Sequence, residues 1–332
     1  MPRPPSEPIY HSVVVALTAI LPTDDGKQSH ALSDAFDRCL EELAKLETSY
    51  ILTAKDLRYK PTTRQSCFPA CPFATLDPRT DEWNPIGSFV INAAEGRAPI
   101  GPAPLDDDGL FQLGVRVMLI TKGSPLITFS ERSVAAHRAY RIDGDYATAI
   151  LNCYTSGEVL LNTLLLMMGW EELTFDNPSP ITRTEIISWF SGRSTLESRV
   201  RAHFHRRLRG WDTENREKAL YQWLDEVALL RNRVVHTGYR PNEKVTVRAL
   251  DALRDLEVFI KEVFIDDRNR NRHPRTALMF FGVPGLMRRN CYHGKIKRIA
   301  EDSTEPDWLS SFVSFQRSLD DQILTRRQDQ HT

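Results

Sequence analysis

The stretch "GDYATAILNCYTSGEVLLNTLLLMMGW", residues 144–170, restricts the fold more than any other part of the chain. Apolar residues recur through it at helical spacing, Asp143 or Asp145 is available to open a helix, and Gly169 lies near its end. It reads as one long helix. Its most apolar part, "EVLLNTLLLMMGW", is too short and too interrupted to span a bilayer. More helical segments follow on short links. These are "SPITRTEIISWFSGRSTLESRVRAHFHRRLRG", interrupted near Ser191-Gly192; "DTENREKALYQWLDEVALLRNRVVHTG", with Asp212 or Thr213 as a cap candidate and Gly238 at its end; and "NEKVTVRALDALRDLEVFIKEVF". Together they predict an up-and-down helical bundle over residues 135–267.

Residues 1–134 have a different texture. "IYHSVVVALTAIL" is rich in β-branched residues and predicts a strand. "ALSDAFDRCLEELAKLETSYIL" carries a helical stripe of Leu32, Phe36, Leu40, Leu43 and Leu46. Residues 60–108 hold many prolines and few clear elements, with a short strand at "GSFVINA". "LFQLGVRVMLITKGSPLITFSER" predicts a strand, a Lys-Gly-Ser-Pro turn and a second strand. The expectation is a mixed α/β N-terminal domain, and hence an α+β chain overall. Residues 268–332 form a short C-terminal extension: a basic connector "DDRNRNRHPR", then "TALMFFGVPGLM" and "RRNCYHGKIKR". A last helix follows, whose stripe Trp308, Phe312, Phe315, Leu319 and Ile323 needs a covering surface from its own bundle or from a partner chain.

At 332 residues the length suits two or three domains, and a formal net charge of -1 announces no nucleic-acid binder through global charge. The basic residues are mostly arginines, and they cluster. "GRSTLESRVRAHFHRRLRG" offers Arg201, His205, Arg206 and Arg209 as a phosphate track; a solvated basic helix is the alternative. "RNRNRHPR" and "RRNCYHGKIKR" are further candidates of the same kind. The 5 cysteines are irregularly spaced, which argues for reduced thiols and a cytoplasmic setting, and "MPRPPSEPIYHSVVV" does not resemble a signal peptide. Cys67, Cys71, Cys291 and His293 would make a zinc site only if the fold brought them together, so no metal or other cofactor is expected. "DDGKQS" lacks the earlier glycine of a phosphate-binding loop, and no GxSxG or HExxH occurs.

The remaining motif is "LLRNRVVHTG", residues 229–238, with Arg231, Asn232 and His236. The Arg-to-His spacing alone is uninformative, because it recurs at Arg268–His273, Arg288–His293 and Arg326–His331. Only the Arg231 pair ends a strongly amphipathic helix that a glycine closes. Asn232 and His236 share a helical face, and the long Arg231 side chain can reach the same pocket. Simple capping of the helix end is the alternative. In the first bundle helix, Asn152, Ser156 and Thr163 line one side. Glu158 falls near the apolar stripe of Leu151, Tyr154, Leu161 and Leu165. A carboxylate there needs a cation, structural or functional, and Arg231 is the candidate.

Helix order, Glu158 and the Arg231-Asn232…His236 motif together resemble a HEPN domain over about residues 140–265. The resemblance implies metal-independent RNA cleavage, with Arg231, Asn232, His236 and Glu158 as the catalytic group. Such proteins often act as toxins or in antiviral defence, usually as homodimers with two motifs facing one cleft. The chemistry suits the residues: histidine can take the proton of an RNA 2′-hydroxyl, and arginine can hold the phosphate. RNA is then the expected partner, with a regulatory protein engaging the N-terminal domain and no membrane involved. The alternative is a non-catalytic HEPN-like module that binds a nucleotide or a protein.

Overall fold

The computed structural model describes residues 16, 18, 28–63, 70–77, 79–80, 82–90, 105–175, 181–190, 195–215 and 218–329. The chain divides into two compact units, Met1–Val117 and Met118–Thr332.

In the first unit, helix α1 (Gln28–Ala54) forms where its stripe predicts. Leu40, Leu43 and Leu46 are only half-buried; the buried positions are Ala35, Glu47, Ser49, Ile51 and Leu52. The Glu47 carboxylate accepts from Tyr59 Oη (3.1 Å) and Thr62 Oγ1 (2.6 Å), which ties the helix to the segment after it. Strands β1 (Ala70–Asp77) and β2 (Glu82–Val90) pair as an antiparallel hairpin with an irregularity between Phe73 and Ala74. β2 includes the start of "GSFVINA", whereas β1 arises in the Pro-rich stretch that shows no clear element. The strand expected from "IYHSVVVALTAIL" lies outside the described residues, Ala16 and Thr18 apart.

The fold class departs from the α+β expectation. "LFQLGVRVMLITKGSPLITFSER" forms no strands: it makes helices α2 (Asp107–Thr121) and α3 (Pro125–Arg138). The Lys-Gly-Ser-Pro break is a helix-to-helix joint. Gly123 takes φ 72° after α2, Ser124 is the N-cap of α3, and Pro125 opens α3 where its missing N–H costs nothing. β-Branched residues enter these helices because tertiary packing overrides propensity, as where α3 lies along α4 (Tyr146–Thr174). The protein is therefore helical. Among the described residues the β1–β2 hairpin is the sole sheet, and no mixed α/β domain occupies residues 1–134. The division after Val117 also puts α3 in the helical unit.

The second unit is built around α4. Asp145 rather than Asp143 caps it, accepting from the Thr148 amide at 3.0 Å. From Thr163 to Glu172 every residue is buried, so this part of the helix is enclosed on all sides. Its neighbours are α3, α5 (Arg183–Phe190), α8 (Leu230–Thr237), α9 (Glu243–Ile265), α11 (Pro274–Arg288) and α13 (Trp308–Asp329). A π-helical turn, Val200–Phe204, continues the short α6 (Leu196–Arg199) and also touches α4. Helix α7 (Ala219–Trp223) runs through a second π-helical stretch, Leu224–Leu229, into α8, which Gly238 ends in the left-handed conformation. Asp212 does not cap this helix; it accepts from the Glu214 and Asn215 amides in the preceding turn.

Residues 268–332 are more than an extension. Phe312 of α13 meets Trp170 edge-on at 5.9 Å, and Leu319 is buried, so the Trp308–Ile323 stripe is covered by its own chain. In the basic connector, α10 (Asp267–Arg272), Asn269 and Arg270 are core residues, as is His273 after it. Asn269 clamps the Arg209 backbone from both sides, accepting from its amide (2.7 Å) and donating to its carbonyl (2.9 Å). Helix α12 (Gly294–Glu301) completes the unit. Among the described residues no helix is long and apolar enough to cross a membrane.

Glu171 and Glu172 close the buried part of α4. Glu171 accepts from the amides of Arg275 (2.8 Å) and Thr276 (2.9 Å) and from Thr276 Oγ1 (2.8 Å), so it caps α11 from another helix. Burial raises its carboxyl above the ordinary range, and these bonds pull the other way. Glu172 pairs with Arg207 (2.8 Å), while burial lowers His273, 3.8 Å away, to about 3 and leaves it neutral. Glu171→Ala should therefore lower stability by about 3 kcal/mol, because it strands the α11 amides and the Thr276 hydroxyl. A urea melt checks this, with Glu171→Gln, which keeps one acceptor, expected between the mutant and wild type.

Candidate functional site

The helix that carries the motif is held against α4 by stacked rings. Trp223, fully buried, lies 5.9 Å from Tyr154 with the rings only 11° from parallel. The indole fits because position 157 is glycine: a Cβ there would fall inside van der Waals contact with the Trp223 ring. The indole Nε1 has no acceptor among the described residues, so Trp223 serves through its surface rather than through a hydrogen bond. On α8 the Arg231 guanidinium sits over the Tyr154 ring, 5.1 Å from its centroid. The resulting order is Gly157, Trp223, Tyr154, Arg231.

Glu158 enters this stack indirectly. It is half-buried, and Tyr154 donates to its Oε1 at 3.4 Å. It makes no ion pair with Arg231 within 4.0 Å, so the expected direct partnership is replaced by contact through the Tyr154 ring. Its charge also acts on Arg199, whose burial lowers its pKa while Glu158 pulls the other way. Burial raises the Tyr154 phenol, with Glu158 reinforcing that shift and Arg231 opposing it.

Arg231 Nη1 donates to Asn232 Oδ1 at 3.0 Å. Asn232 is exposed and lines a groove of about 380 Å³ together with Tyr154, Tyr221, Asp225, Leu196 and Arg201, among others. His236 is exposed one turn further along α8 and does not line the groove. The structure thus joins Arg231 to Asn232 and leaves His236 beside them with its ring open to solvent. The polar side of α4 is no part of the site: Ser156 is buried and donates to the Phe129 carbonyl of α3 at 3.0 Å, and Thr163 is buried too.

The predicted phosphate track separates into different environments. Arg201 lies at the groove but is already engaged by Glu197 (3.0 Å) and, more loosely, by Glu214 (3.8 Å). His205 Nδ1 lies 3.3 Å from the Trp211 carbonyl. Arg206 and Arg209 are exposed and free to meet an anion. His203 is half-buried on Trp189, and burial together with Arg207, Arg206 and Arg199 lowers it to about 4. "RNRNRHPR" is largely unavailable, since Asn269, Arg270 and His273 are buried. Cys291 is buried with Sγ donating to the Arg289 carbonyl at 3.2 Å, His293 is exposed, and Cys67 lies outside the described residues.

Tyr154, Gly157, Trp223 and Asp225 are site residues that motif spacing does not identify. Gly157 carries a usable signal, because a glycine inside a long helix costs about 1 kcal/mol and implies a close neighbour. No known protein family, curated protein or solved structure matches the chain.

Gly157→Ala should push Trp223 and, with it, Tyr154 off α4. We expect a loss of about 1–3 kcal/mol on overpacking grounds and a shift in tryptophan fluorescence. Unchanged melting and emission would show that the stack does not depend on the glycine.

Proposed function

We propose that the second unit is a metal-independent RNA endonuclease of the HEPN kind, cleaving through attack of a 2′-hydroxyl on the adjacent phosphorus. One observation carries this reading. Arg231 is pinned on Tyr154 and bonded to Asn232 at the rim of a groove, with His236 exposed one turn along the same helix. In this reading Arg231 holds a phosphate oxygen and neutralises charge that grows on it. Asn232 fixes the guanidinium, and His236 moves the proton of the 2′-hydroxyl. Tyr154 and Glu158 are positioning residues, since they act through Arg231. Arg206 and Arg209 supply outlying phosphate contacts.

The reaction also needs a proton delivered to the leaving 5′-oxygen. A second His236 across a twofold axis would supply it. Leu229 and Val235, exposed by 55% and 47%, flank the motif and offer apolar surface for such a homodimer. The C-terminal stripe does not, being covered already. A non-catalytic binding module is the second reading, favoured by the position of His236 outside the groove.

Purified full-length chain incubated with RNA in EDTA separates the two. The proposal expects cleavage that survives chelation, 2′,3′-cyclic phosphate ends, and a loss of roughly hundredfold or more in His236→Ala. Cleavage restored only by magnesium, or undiminished in His236→Ala, would overturn it; RNA binding without cleavage favours the module.

A further inference from the structure

The groove beside Arg231 has walls of unequal chemistry. Tyr221, Asp225, Ala228 and Asn232 follow one another along one side of the continuous α7–α8 helix, through its π-helical stretch. Such stretches are frequent at functional sites because they displace side chains from the regular helical pattern. Leu196, Glu197 and Arg201 form the facing wall, and Tyr154 contributes its ring. The volume of about 380 Å³ lies within the range of small-ligand sites. Tyrosine, leucine and alanine side chains therefore line a half-open groove together with several polar groups.

The polar groups differ in availability. Arg201 and Glu197 are bonded to each other. Asn232 holds Arg231. Asp225 is exposed at the groove and has no hydrogen-bond or ion-pair partner among the described residues. A carboxylate accepts at both oxygens and has no proton to give. It selects a flat ligand that presents two adjacent N–H donors. Among RNA bases, guanine does so through N1–H and its exocyclic amino group. Adenine and cytosine place a ring acceptor beside the amino group, and uracil has one N–H between two carbonyls.

We propose that this groove is a guanine-binding subsite, with Asp225 reading the base edge and the tyrosine rings giving stacking surface. Asn232 lines the groove and also holds Arg231, so the guanidinium is bonded to a residue of the groove wall and is the candidate to meet the phosphate of a guanine seated there. The inference rests on the RNA-cleaving reading for its consequence, a preference for cutting next to guanosine. Binding of the base itself does not depend on that reading.

The test uses full-length wild type, Asp225→Asn and Ala228→Trp, the last to fill the groove. Titration with GMP, AMP, CMP and UMP measures the pocket, and sequencing the ends of a cleaved random RNA measures its consequence. We expect wild type to favour GMP. Asp225→Asn should weaken GMP by roughly tenfold or more while keeping the wild-type melting curve, and Ala228→Trp should abolish binding. If RNA is cleaved, the guanosine bias of the cut ends should vanish in Asp225→Asn, whatever the total amount of cutting. GMP binding without any cleavage would uphold the pocket and remove the nuclease. No preference for GMP, or GMP binding unaffected by Asp225→Asn, would overturn the pocket, and cleavage seen alongside either result would leave the nuclease standing.

Discussion

Two adjacent carboxylates, Glu171 and Glu172, are buried at the C-terminal end of the central helix, and their partners tie that helix to the start of α11 and to Arg207. Their position is unfavourable twice over: they leave water, and they sit near the negative end of the helix dipole. Glu171 is offset by the amides that open α11, and Glu172 by Arg207. Arg275 adds a further link, donating to Glu305 Oε2 at 2.8 Å and lying 3.5 Å from the centroid of the Phe175 ring. These bonds fix where α11 begins and hence help seat the C-terminal helices on α4.

The other half of α4 positions the site. With one end locked by charge pairing, the helix presents Gly157, Tyr154 and Glu158 to the motif-bearing helix at fixed height. The indole of Trp223 needs the bare backbone of Gly157, and Tyr154 needs the indole. Arg231 then has a flat surface on which to rest, with Asn232 bracing it. Ring stacking and a side-chain bond thereby limit the freedom of a long guanidinium chain, which would otherwise lose more entropy on meeting a phosphate.

Much of the helical unit is legible in the sequence. The long apolar helix, the Gly238 stop and the α9 start at Asn242 all follow from periodicity and capping chemistry, while the break expected near Ser191 lies outside the described residues. The class of the N-terminal region was not legible, because "KGSP" flanked by β-branched residues suits a hairpin as well as a Gly-ended, Pro-opened helix joint. Only the packing of α3 on α4 decides it. The motif names Arg231 and Asn232, and the structure bonds them to each other. The partner of Glu158 could not be read from the sequence, since an aromatic ring carries the link. The buried fate of "RNRNRHPR" was hidden too: a run of arginines looks solvated until Asn269 and Arg270 are seen bonding to backbone from inside.

The chemistry proposed for Arg231 and His236 depends on one atom of an RNA substrate, the 2′-oxygen. The most direct measurement offers full-length protein an RNA with a single preferred cleavage site and compares it with the same strand carrying one 2′-deoxynucleotide immediately 5′ of that bond. The account predicts that cleavage at that bond disappears while cutting elsewhere continues. Unchanged cleavage of the deoxy-substituted bond would contradict it.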